Sequence, residues 1–212
     1  MKTKMSIPTL IILLCLLQTV NAQKLKDKIQ NSVVAIGNTF TEIPVERLKA
    51  LDQIAFTMIK KLHGQNTGQV IFIDNKNREI SQLAMIWLQT GLFYYGHGDL
   101  FDIQSAGLTP ENKTIPSLQA LNEYGFNVKD VSKNNQVSYR IKYGSGSWTV
   151  TPKSVNQLKN NGNNTLKIYL ERANDDKASK NKIALPYSDP TAIAKEMLYM
   201  ATRMDNLLKK EL

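Results

Sequence analysis

The chain has 212 residues, with 27 Lys and Arg against 18 Asp and Glu and a net charge of +9. That length fits one domain with a sizeable core. A single cysteine, Cys15, and two histidines, His63 and His97, exclude a disulfide framework and a Cys/His metal centre. No metal and no cofactor is expected. The cations are scattered in pairs such as Lys60-Lys61 and Lys209-Lys210, without interleaved aromatics. Attraction to anionic surfaces follows from such a charge, but nucleic-acid recognition is not supported.

Residues 1–22 read as a secretory signal peptide. Lys2 and Lys4 supply a positive start, Leu10 to Leu17 an apolar centre, and Val20-Asn21-Ala22 short residues before Gln23. The apolar run is too short for a comfortable membrane span and no second run follows. Cleavage after Ala22 removes 22 residues and two lysines from the 212-residue, +9 chain, leaving 190 residues and +7. Cys15 leaves with them, so the exported chain has no thiol. His63 and His97 sit in no metal-ligand spacing and are expected to be solvated surface residues.

Residues 23–66 are predicted as an N-terminal helical extension and 67–212 as an α/β domain. The first helix covers 23–37, with Leu25, Ile29, Val33 and Ile36 on one face, and Gly37-Asn38 as a left-handed stop. Pro44 opens a second helix that runs to about Leu62. Val70-Ile71-Phe72-Ile73 is a buried strand, Asp74 to Glu79 a polar loop, and Ile80 to Tyr95 a long apolar helix. Leu100 to Ser105 alternates like a strand. Thr114 is expected to cap a helix over Ile115 to Tyr124, which Gly125 ends. Phe126 to Val131 and Val137 to Tyr143 read as a strand pair, and Gly144-Ser145-Gly146-Ser147 as a turn. A short helix is expected over Pro152 to Leu158, strands over Thr165 to Leu170 and Ile183 to Pro186, and a closing helix over Thr191 to Leu212. Alternating β and α units imply an α/β fold, a parallel sheet with helices on both faces. A loop at the carboxyl end of a strand in such a sheet is a ligand position.

Several landmarks, taken in order, carry a resemblance. They are Ile43-Pro44, Glu46-Arg47, Val70-Ile71-Phe72-Ile73, Asn77, Ser81, Ile86-Trp87, Gln89-Thr90, Tyr94-Tyr95-Gly96, Ser105-Ala106-Gly107, the run Ala184 to Pro190, and Glu196-Met197-Leu198-Tyr199. The chain resembles the low-molecular-weight protein tyrosine phosphatases, and most of all their long arsenate-reductase-like branch of Bacteroidetes-type bacteria. The resemblance implies a three-layer sandwich around a central parallel sheet of about four strands, plus extra N-terminal helices.

It also implies where chemistry would lie. The family nucleophile, a cysteine, falls on Asp74; the family arginine falls on Ile80; the family acid falls on Asp189. Asn77 and Ser81 match, and the redox cysteines of the 170–178 region are absent. A thiolate nucleophile and a two-point arginine clamp are both lost. Asp74 puts a carboxylate where a phosphate would sit, and two unit charges about 4 Å apart repel by roughly 4 kcal/mol at an effective dielectric of about 20. The expectation is an inactive protein with a binding or structural role, its partner a protein or an anionic ligand, with Asp74 accepting hydrogen bonds from loop N–H groups between Asn75 and Ser81. One alternative is an anion-binding module built on Asn75, Lys76, Asn77, Arg78 and Ser81. Another is a residual hydrolase that uses Asp74 and Asp189.

Overall fold

The computed structural model describes residues 24–62, 67–159, 162–171, 182–187 and 191–211. The predicted signal peptide and Asp189 lie outside them. Among the described residues no helix is long and apolar enough to cross a membrane.

The sheet is built as expected. β1 (Gly68–Asp74), β2 (Phe101–Gly107), β6 (Thr165–Tyr169) and β7 (Lys182–Ala184) form one parallel sheet in the order β2-β1-β6-β7. Every residue of β1 is buried, which explains its unbroken apolar run. Its neighbours β2 and β6 lie on opposite sides, so the chain leaves β1 at a switch point of the sheet.

One face of the sheet carries the main core. Val70, Phe72, Ile103, Leu166 and Ile168 pack there against helices α1 (Asp27–Gly37), α2 (Val45–Leu62), α3 (Ile80–Tyr94) and α4 (Ala192–Glu211). Ile29 and Val33 of α1 and Leu51, Ile54 and Met58 of α2 join the same cluster, so the N-terminal helices share the core of the α/β unit. The other face has a thinner layer: Ile71, Ile73 and Ala106 meet Val155, Leu158 and Tyr169 around the 3₁₀ turn Val155–Gln157. Hydrogen bonds extend that face. Gln69 donates to Asp102 at 3.0 Å and accepts from Thr165 at 2.6 Å, Gln104 donates to Asp102 at 2.7 Å, and Lys153 reaches Gln104 at 3.3 Å. Burial pulls the Lys153 ammonium below its ordinary range.

Several local expectations need correction. α1 ends without a left-handed residue: Asn38 has φ −65°, and the chain passes directly into a 3₁₀ turn at Phe40–Glu42. Pro116–Tyr124 is 3₁₀ rather than α, and Thr114 does not cap it. Asn122 inside this segment bonds locally to Gln119 and accepts from Val128 N–H, which competes with a regular α turn. Gly125 does stop it, at φ 101°. Ser147, read as part of a turn, begins a strand. β3 (Asn127–Asp130), β4 (Tyr139–Lys142) and β5 (Ser147–Val150) form a separate antiparallel sheet. Its inner face presses Tyr143 and Trp148 onto Phe93 of α3, with ring centroids 5.4 and 5.8 Å away.

His97 is not a solvated surface residue. Its Nε2 lies 3.0 Å from Asp205 of α4, to which Lys209 donates at 2.7 Å. Burial pushes the Asp205 carboxyl up, but the bonds from Lys209 and His97 outweigh it and hold the group below its ordinary range. Three of the landmarks also meet: Arg47 grips both carboxylate oxygens of Glu196 at 2.9 and 2.8 Å and lies 4.5 Å over the Tyr187 ring.

The contact of α3 with α4 depends on Gly91. A Cβ there would stand 2.5 Å from the Ala201 Cβ. Gly91→Ala should therefore cost about 1–3 kcal/mol by overpacking. Combining it with Ala201→Gly should cost less than the sum of the single changes. Denaturant midpoints of the four proteins check this, and strict additivity would contradict it.

Candidate functional site

The site lies where β1 hands over to α3. β1 buries its last residue, Asp74, to 5% exposure. A carboxylate held that far from water needs donors, and the following loop supplies them. Asp74 Oδ1 accepts the Asn77 N–H in a short bond, and Oδ2 accepts the Ser81 N–H at 3.0 Å. Ser81 is in the first turn of α3, where N–H groups have no partner within the helix. Asp74 therefore caps both the loop and the helix start. Its own carbonyl accepts from Leu108 at 3.1 Å.

Asn77 shapes the loop. It is fully buried and left-handed at φ 47°, a conformation that asparagine tolerates better than most residues. Its Nδ2 donates to Ser81 Oγ at 3.0 Å, and its Oδ1 accepts the Lys153 N–H at 2.8 Å. Its carbonyl takes Gln82 Nε2 at 3.3 Å, and Gln82 in turn accepts from Ser105 at 2.9 Å. Gly107 makes room for this turn: a Cβ there would stand 2.8 Å from Asn77 N and 3.0 Å from Asn75 O. Asn77, Ser81, Gln82 and Ser105 are thus joined in one hydrogen-bonded network, with Gly107 packed against it.

The other candidate residues are held by two carboxylates. The Asn75 N–H donates to Glu171 Oε2 at 3.0 Å. Lys76 pairs with Glu111 at 2.9 Å, Arg78 approaches the same carboxylate at 3.7 Å, and Lys113 joins at 3.3 Å. Hydrogen bonds from Lys76 and Lys113 hold the Glu111 carboxyl below its ordinary range. Arg78 also donates to the Thr114 carbonyl at 3.0 Å. Ile80 lines a cleft of about 170 Å³ with Asp74, Lys76, Arg78, Glu79 and Glu171. Three carboxylates and two cations share that cleft, so its charge does not favour an anion.

Sequence reasoning missed Glu111 and Glu171. Glu171 follows β6, which runs parallel to β1, so residues just past both strand ends share one edge of the sheet. That parity was available as a signal. Glu111 comes from a loop after β2, and no spacing in the chain announces it.

No family model and no curated protein matches the chain. Among solved structures it is similar to a thioredoxin-dependent arsenate reductase of Corynebacterium glutamicum, at 16% identity and a TM-score of 0.38, covering 87% of this chain and 96% of that one. A likeness of that size does not by itself place the chain in a family.

Asp74→Ala orphans two amide donors, one of them in a fully buried turn. It should cost about 1–3 kcal/mol in equilibrium denaturation at neutral pH. Inorganic phosphate or sulfate should restore part of that loss and leave the unaltered protein unmoved. A neutral Asp74→Ala, indifferent to both anions, would show that the amides do not depend on this carboxylate.

Proposed function

We propose that the chain is an exported, non-catalytic relative of the low-molecular-weight tyrosine phosphatases and arsenate reductases, which keeps their architecture for a binding or structural role. The observation that carries this reading is the Asp74 carboxylate itself. It takes the N–H groups of Asn77 and Ser81, the donors that a phosphate-binding loop would offer to substrate oxygens. A bound anion would have to displace a covalently attached one.

Three further features support it. Ile80 offers no donor at the position where the family clamps the transferring group. The cations of the loop, Lys76 and Arg78, are turned toward Glu111. Asp74 has both oxygens engaged as acceptors, which weakens it as a nucleophile in the residual-hydrolase reading. The anion-binding reading gains nothing from a cleft that mixes three carboxylates with two cations.

Para-nitrophenyl phosphate hydrolysis and thiol-coupled arsenate reduction should both stay at background. Turnover that disappears in Asp74→Ala or Asp189→Ala would establish a working enzyme instead. For export, mass spectrometry of the protein recovered from its native host should give Gln23 as the first residue; an intact Met1 on the folded protein would refute cleavage after Ala22.

A further inference from the structure

The second sheet has an outer face with a chemistry of its own. A hollow of about 490 Å³ lies over it, lined by Asn127, Lys129, Arg140, Lys142, Ser145 and Ser147. It shares no residue with the Asp74 cleft. The pairing register sets these side chains out as a grid. Asn127, Lys142 and Ser147 form one row, and Lys129, Arg140 and Thr149 the next. All six are exposed, while the alternate residues Val128, Tyr139, Ile141 and Val150 are buried. Directly opposed residues stand about 5 Å apart, and successive outward residues on one strand about 7 Å apart.

The grid holds three cations and no acid. Lys129, Arg140 and Lys142 make no ion pair among the described residues. Lys129 faces Arg140 across the strands, and like charges in that position destabilise a sheet. The N-terminal segment adds two more cations beside the hollow. The Lys24 N–H donates to Ser145 Oγ at 3.1 Å, Leu25 bridges to Gly144, and both Lys24 and Lys26 are exposed.

We infer that this face binds an acidic polysaccharide. Carboxylate or sulfate groups along the sugar chain neutralise Lys129, Arg140 and Lys142, and its hydroxyls bond to Asn127, Ser145 and Ser147. The composition of the grid selects this occupant. It has no aromatic platform on which a nucleic-acid base could stack. It has no apolar side chain to enter a membrane or to anchor a protein partner. What it offers is spaced positive charge alternating with neutral hydrogen-bonding groups, the complement of a ligand that alternates negative charge with hydroxyls.

The test is equilibrium binding of a fluorescent heparin-derived hexasaccharide to the purified protein over a range of salt. Binding is expected, with affinity falling as salt rises. The triple variant Lys129→Gln, Arg140→Gln, Lys142→Gln should lose at least about tenfold in affinity, and its salt slope should flatten by about one per cation removed. A control of equal net charge, Lys49→Gln, Lys60→Gln, Lys210→Gln, should change affinity by less than about twofold, since its charges lie outside the grid. The unfolding midpoint reports whether the triple variant is folded; if it is not, Arg140→Gln alone, at the centre of the grid, should weaken binding without unfolding. Absence of binding overturns the inference, as does an equal loss in the control. Equal competition by neutral dextran, by poly-glutamate or by duplex DNA at matched charge overturns it too.

Discussion

A buried strand that ends beneath a helix leaves backbone donors where water cannot reach them, and each one left unpaired costs as much as a lost hydrogen bond. Much of this molecule follows from how that demand is met at the end of β1. Asp74 accepts from the loop and from the first turn of α3 at once. The turn that results is fixed by Asn77, which reaches Ser81 on one side and Lys153 on the other. Gly107 of β2 lets the turn lie against the sheet. The carboxylate thereby ties the helix start to the loop, Asn77 fixes the loop's shape, and Gly107 admits its close approach to β2.

The same logic governs the charges above the loop. Lys76, Arg78 and Lys113 all approach Glu111, and Glu171 takes the Asn75 N–H. Two acids from two segments, Glu111 and Glu171, thus engage two cations and one amide of the loop. Surface ion pairs of this kind contribute little to stability one at a time. Their effect here is local: Lys76 and Lys113 are held at Glu111, and the Asn75 N–H at Glu171.

Much of this was legible in the chain. Val70 to Ile73 and the apolar helix from Ile80 stand out because burial on all sides leaves continuous apolar runs. The closing helix shows its period through Ile193, Met197, Met200 and Met204, all buried. Asp74 as an internal cap came from the resemblance, which sets this carboxylate in place of a phosphate-loop nucleophile, and its two accepted N–H bonds match that expectation. What stayed hidden depends on partners far away in sequence. β5 has only four residues after a Gly/Ser run and owes its strand form to pairing with β4. His97 finds Asp205 across 108 residues, so nothing near it in the chain marked it as bonded. The 3₁₀ form of Pro116–Tyr124 reflects side-chain bonds of Asn122, which periodicity does not register.

The thin second face of the sheet has a thermodynamic consequence. There the rows Gln69, Thr165, Asp102 and Gln104 are tied by hydrogen bonds rather than covered by a layer of apolar side chains. Unfolding such a face releases the amide and hydroxyl surface of Gln69 and Thr165 along with a few apolar residues. Apolar exposure raises the heat capacity of the unfolded chain and polar exposure lowers it. The second face therefore contributes less to the curvature of stability against temperature than the helical face does. The resistance of this sheet to cold and to heat is set unequally by its two sides.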